Sequence, residues 1–268
     1  MKGLRHFSTS TSALVKFSLH SAHVGVLTLN VPEKLNALSV AVGEAFQQQV
    51  ALIAQNKELR ALVVTGAGAA FSAGGDLQFL DERSKSSAVE NSAEMLRYYD
   101  RFLSIRKLPI PTIAAINGSA VGAGMMLSMA CDMRVVAEDA KVGVNFSRLG
   151  IHAGLGSTHF LPILLGNQNA SFLLLTGQLV TGVQAKDMGI ALRAMPKEKV
   201  LSESLLIADQ IAAASPVAVQ ATLRTLRLID QGLSKALQRE ADSQAHCYMH
   251  SDFKEGLAAV REKRNPKF

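Results

Sequence analysis

Two glycine-rich turns constrain this chain more than any other feature. Phe71-Ser-Ala-Gly-Gly-Asp-Leu77 comes after the aliphatic run Ala61-Leu-Val-Val-Thr65, and Asn117-Gly-Ser-Ala-Val-Gly-Ala-Gly124 after Thr112-Ile-Ala-Ala-Ile116. Each turn leads into a segment that can be helical. A buried strand that ends in a glycine turn and opens a helix leaves backbone N–H groups unpaired and aimed outward. Two such turns brought together supply two donors for one oxygen. That is an oxyanion hole, which stabilises the enolate or tetrahedral state of a thioester or ester carbonyl.

The pattern around the turns sets the fold class. Strands are expected at Val15 to Leu19, Val24 to Asn30, Ala61 to Thr65, Thr112 to Ile116, Met133 to Ala137 and Lys141 to Val144. Helical spacing runs from Leu38 to Gln55 with Ser39 as N-cap, from Leu80 to Arg106, and from Val121 to Ala130, which is apolar nearly all round. Ser157 to Leu165, Ala170 to Leu175 and Gly182 to Met188 read as helices split by glycines. This alternation predicts an α/β core with largely parallel strands over residues 15–200. Residues 201–268 read as helical throughout, with starts at Ser215-Pro216, Leu233 or Ser234, and Ser251 or Asp252.

Composition excludes several classes. Of the net charge of +6, Lys2, Arg5 and Lys16 contribute half, and no acid precedes Glu33. The remaining charge is too small and dispersed for nucleic-acid binding. No apolar stretch reaches the ~18 residues of a membrane span. The start, residues 1–14, is basic, Ser/Thr-rich and acid-free, as in a mitochondrial transit peptide, and it lacks the ~7–15-residue apolar stretch of a secretory signal. Mitochondrial matrix localisation is therefore expected. Cys131 and Cys247 read as free thiols. His246 and His250 share a helix face with Cys247 between them, but no third ligand is evident, so no metal site is expected.

The two turns, together with Pro32-Glu-Lys-Leu-Asn-Ala-Leu38, Ala130-Cys-Asp-Met-Arg134, Leu175-Thr-Gly-Gln178, Gly182 to Gly189 and the tail Lys254 to Phe268, resemble the crotonase (enoyl-CoA hydratase/isomerase) superfamily. The resemblance runs in order from about residue 15 to the end. It implies a spiral of ββα units, with C-terminal helices that assemble a homotrimer or a dimer of trimers. It implies an acyl-CoA thioester as ligand, with coenzyme A part of the substrate and no separate cofactor. It places the oxyanion donors on the N–H groups of Gly75 and Ala123. It places the coenzyme A wall on Lys34, Leu35, Ala37, Ala73, Asp76 and Leu77. Asp76 also reads as a turn-locking side chain.

One departure dominates. Hydration of an enoyl thioester in this family uses two glutamates, and the matching positions here are Met126 and Phe146. A thioether and a phenyl ring transfer no protons. The position of a third family acid falls near Gly154. Three readings stay open: an acyl-CoA enzyme with another proton carrier, a decarboxylase-type member that relies on the oxyanion hole, and a non-catalytic CoA-binding scaffold. His152, in Leu149-Gly-Ile-His-Ala-Gly154, is the candidate carrier under the first, since histidine titrates near neutral pH; a loop histidine bonded to backbone is the commoner explanation of such a residue. Asp81 and Glu82 read as solvated helix charges, and His159 as a helix histidine.

Overall fold

Aliphatic runs buried on both faces build the central sheet of the computed structural model, which describes residues 14–268. The expected leader, residues 1–14, lies outside the described residues apart from Leu14. The strands are β1 (Val15–Leu19), β2 (Val24–Leu29), β3 (Ala61–Gly66), β4 (Ala70–Ser72), β5 (Thr112–Ile116), β6 (Ser119–Val121), β7 (Met133–Ala137), β8 (Lys141–Gly143), β9 (Leu179–Thr181) and β10 (Arg193–Met195). Six form one sheet in the order β1-β2-β3-β5-β7-β10, parallel except for the β1–β2 pair. A second sheet of four runs β4-β6-β8-β9, with β9 antiparallel.

The helices are α1 (Val40–Gln55), α2 (Leu77–Arg83), α3 (Ala88–Leu103), α4 (Ala123–Ala130), α5 (Ser157–Thr176), α6 (Gly182–Asp187), α7 (Val200–Ala213), α8 (Pro216–Leu226), α9 (Leu233–Tyr248) and α10 (Ser251–Arg261). Three times a strand of the large sheet is followed by a strand of the small sheet and then by helix: β3-β4-α2, β5-β6-α4 and β7-β8-α5. This is the α/β spiral of ββα units, and a run of C-terminal helices follows it. The first of these, α7, lies on β3, β5 and β7, while α9 packs along α3. Among the described residues no single helix is long and apolar enough to cross a membrane.

Several boundaries differ from the sequence reading. The stretch read as one helix from Leu80 is two, α2 and α3, because Ser84 to Ser87 interrupts it and Ser87 forms a capping box with Glu90. The helix read from Val121 starts at Ala123, and the residues before it pair as β6. Strands β4, β6, β9 and β10 have three residues each, too few to show a period. Gly166 has non-helical angles inside α5, where a glycine break was expected.

Two sequence motifs serve the core. Asp132 accepts from Arg227 at 3.0 and 2.8 Å and from the Thr112 N–H and hydroxyl at 2.8 Å, which ties the segment after α8 to the sheet. Burial raises its carboxyl, but Arg227 and Thr112 bring it below the usual aspartate range. Asn36 sits in left-handed backbone at φ 54°, wholly buried. Its Nδ2 donates to the Ala67 and Ala70 carbonyls at 2.9 and 2.8 Å, and its Oδ1 accepts from Val31 N–H at 2.9 Å. Asn36→Ala leaves three backbone groups without partners in the interior. It is expected to cost about 2–4 kcal/mol in urea unfolding. A loss under about 1 kcal/mol would contradict this bracing role.

Candidate active site

The turns after β4 and β6 meet at Gly74. Its φ is +99°, and a Cβ there would lie 2.6 Å from the Val121 carbonyl oxygen, so only glycine lets the two loops approach this closely. The first loop is fixed from its other side: Leu38 N–H donates to the Gly74 carbonyl at 2.7 Å, and Asp76 N–H to the Leu38 carbonyl at 3.4 Å. The Asp76 carboxylate caps α2, accepting from the N–H groups of Gln78 and Phe79 at 3.0 and 3.1 Å. That arrangement matches the turn-locking reading of Asp76.

Gly75 N–H and Ala123 N–H donate to no protein acceptor among the described residues. Ala123 opens α4, where no upstream helical carbonyl is available. Both residues line one cavity. The loops from Ala73 to Leu77 and from Gly122 to Ala123 form one part of its wall, and Asn145, Phe146 and Leu149 another. Tyr98 and Tyr99 of α3 and Gln244 and Tyr248 of α9 close the far side. No Asp, Glu, His, Lys or Arg is part of the lining.

The family model for enoyl-CoA hydratase/isomerase matches residues 20–268. The chain belongs to the enoyl-CoA hydratase/isomerase family. It is 34% identical over 255 residues to an enoyl-CoA isomerase/hydratase of Mycosarcoma maydis, covering 90% of this chain and 91% of that protein. A Dictyostelium discoideum relative, whose name places it in mitochondria, is 32% identical over 263 residues, 98% of this chain and 91% of its own length. Among solved structures, an enoyl-CoA hydratase from Mycobacterium avium subsp. paratuberculosis superposes with a TM-score of 0.84 at 26% identity, over 96% of this chain and 98% of that one.

In this member of the family the expected site residues separate. Gly75, Ala123, Ala73, Leu77 and Phe146 line the cavity. Met126 is wholly buried in α4 and is not part of the lining. Lys34 and Leu35 are exposed, and with Ala37 they lie off the cavity wall, although Ala73 N–H donates to the Leu35 carbonyl at 2.9 Å and keeps the two segments adjacent. His152 is half-buried, and its Nδ1 lies 2.6 Å from the Ala153 carbonyl. Its ring is not part of the lining, whereas its loop neighbours Ile151 and Gly154 are. Asp81 pairs with Lys85 and Arg261, away from the cavity. His250 caps α10, and among the described residues no group of three or more His, Cys, Asp or Glu is placed to hold a metal ion. Cys131 is buried, and burial pushes its thiol up to about 12.

The sequence reading missed the polar wall. Tyr99 Oη donates to Gln244 Oε1 at 2.7 Å, Tyr248 Oη approaches the same oxygen at 3.4 Å, and Gln244 Nε2 donates to the His152 carbonyl at 2.7 Å. Burial pushes the hydroxyls of Tyr98, Tyr99 and Tyr248 above the ordinary phenol range, so all three stay neutral. Tyr99 Oη and Gln244 Nε2 also crowd Gly154, leaving no space for a side chain at that position. One turn before Gln244, the buried Glu240 accepts from Gly156 N–H at 2.7 Å, Thr158 N–H at 2.8 Å and the Thr158 hydroxyl at 2.6 Å. Burial pushes its carboxyl up, against the pull of these donors. The only signal for this wall is the i, i+4, i+8 spacing of Glu240, Gln244 and Tyr248 on an otherwise polar helix.

Glu240→Gln turns an amide group toward backbone donors. It is expected to lower stability by about 1–3 kcal/mol and to speed hydrogen exchange at Gly156 and Thr158. Unchanged exchange there would show that Glu240 does not hold the loop.

Proposed function

We propose that the protein binds an acyl-CoA thioester in this cavity and stabilises its enolate on the N–H groups of Gly75 and Ala123. The observation that carries this reading is the pair of unpaired donors on a wall that holds no ionised side chain. Negative charge gathers on the thioester oxygen as the enolate forms. Fixed backbone dipoles in a dry site stabilise that charge strongly. Lys34, Leu35 and Ala37, beside Ala73 and Leu77, hold the coenzyme A portion. Coenzyme A belongs to the substrate, and no separate cofactor is needed.

The same wall argues against ordinary hydration. Adding water to an enoyl thioester needs one group to activate the water and one to protonate the α-carbon. Phe146 and the buried Met126 supply neither. Reactions that reach the enolate without a side-chain base fit better, such as a C–C bond that breaks with loss of carbon dioxide and leaves its electron pair on the thioester. Crotonyl-CoA hydration is expected to be very slow or absent; turnover in the ordinary enzyme range of ~1–10³ s⁻¹ would sink this reading.

Ala123→Pro deletes one donor at the first position of a helix, where proline is tolerated. Turnover of whichever thioester proves reactive is expected to fall about 10²–10³-fold with the fold intact. Full activity in that variant would remove Ala123 from the oxyanion hole.

We also infer assembly into a homotrimer or a dimer of trimers. Val217, Leu226 and Leu228 are 77%, 67% and 58% exposed in the α8 region, an apolar surface suited to a second copy. Leu226→Glu is expected to leave a monomer by light scattering; a wild-type chain that is itself monomeric would refute the assembly. The basic, acid-free start and the Dictyostelium relative support delivery to the mitochondrial matrix.

A further inference from the structure

A second groove adjoins the cavity and shares Asn145 and Val260 with it. Lys141, Arg148 and Arg264 face this groove, and no Asp or Glu lines it. Arg264 is already paired with two carboxylates, Glu255 and Glu262, at 2.5 and 2.6 Å. Lys141 and Arg148 have no carboxylate partner among the described residues. The groove thus offers two cations without a carboxylate partner beside a cavity whose lining holds no Asp, Glu, His, Lys or Arg.

Arg148 is held in place before any ligand arrives. Gly177 has φ +62°, and a Cβ there would lie 2.8 Å from Arg148 Cγ, so the arginine stem lies across a bare glycine. Arg148 Nε donates to the Thr176 carbonyl at 3.2 Å. Its terminal nitrogens donate to no protein acceptor among the described residues. A guanidinium fixed by its stem loses little freedom when it binds a planar anion through two parallel hydrogen bonds. Asn145 sits at the junction, with its Oδ1 3.0 Å from where a Cβ of Gly122 would be. It therefore places an amide between the oxyanion turn and the cationic groove.

We propose that this groove takes a carboxylate at the far end of the acyl chain, so that the preferred ligands are thioesters of dicarboxylic acids. The inference rests on the acyl-CoA reading of the main cavity. A phosphate of coenzyme A shares the same anion chemistry. However, the coenzyme A wall at Lys34, Leu35, Ala37, Ala73 and Leu77 contributes no residue to the groove.

Calorimetry with butyryl-, succinyl-, glutaryl- and adipoyl-CoA and with free coenzyme A tests this on the wild-type chain, Arg148→Met and Lys141→Met. Both variants change exposed side chains. At least one dicarboxylic thioester is expected to bind about tenfold more tightly than butyryl-CoA, the scale of a hydrogen bond to a charged group. Arg148→Met should erase that preference and Lys141→Met reduce it, with butyryl-CoA and free coenzyme A unaffected. Equal binding of neutral and dicarboxylic thioesters overturns the proposal. So does an equal loss of free coenzyme A affinity in Arg148→Met, which would assign the groove to a phosphate. If neither free coenzyme A nor any thioester binds, the acyl-CoA reading fails and the groove proposal falls with it.

Discussion

The close approach of Gly74 to the Val121 carbonyl is the contact on which the site depends. It is possible because β4 and β6 are parallel neighbours, with Ala70 opposite Ser119 and Ser72 opposite Ala120. Two parallel strands end at the same edge, so the turns that follow them emerge side by side. Each turn then leads into a helix, α2 or α4: Ala123 N–H is a free donor of a helix start, whereas Gly75 N–H lies in the turn itself, two residues before α2. The repeated ββα unit thus produces a pair of donors through topology alone. Asn36 and Leu38 brace the arrangement from outside by tying the first turn to the segment before α1.

The opposite wall has a different origin. It comes from α3 and α9, which pack along each other. Glu240, Gln244 and Tyr248 are buried along α9, and the first two grip the loop from His152 to Thr158. The two walls differ in chemistry as well. One offers unpaired backbone N–H groups, and the other offers neutral phenols and an amide already engaged with one another. Such a cavity is suited to charge that develops at a single point and holds no ionised side chain elsewhere on its wall.

Much of this was legible in the sequence. The buried runs Ala61 to Thr65 and Thr112 to Ile116, the glycine turns after them and the Ser39 and Ser215 caps all have local signals, and local signals survive folding. Of the residues singled out by number, Gly75, Ala123 and Phe146 line the cavity, while Met126 is buried behind it. What was not legible is non-local. Nothing in the sequence connects Tyr99 with Gln244, which are 145 residues apart. Three-residue strands exist only because a neighbour supplies their hydrogen bonds. Asn36 looks in sequence like part of a ligand-facing motif, yet its side chain is spent entirely on backbone groups.

Val260 lines the cavity although it belongs to the last helix of the chain. The two glycine turns are therefore synthesised long before the residue that completes their enclosure. During synthesis the first turns form an open half-site, and the hydrophobic surfaces of Tyr98, Tyr99 and Phe146 stay wet until α9 and α10 dock. Such distant pairings make for slow closure and a period of exposed apolar surface. The nascent chain therefore cannot enclose this cavity until α10 has left the ribosome, which makes the cavity a late product of synthesis although its first turns are made early.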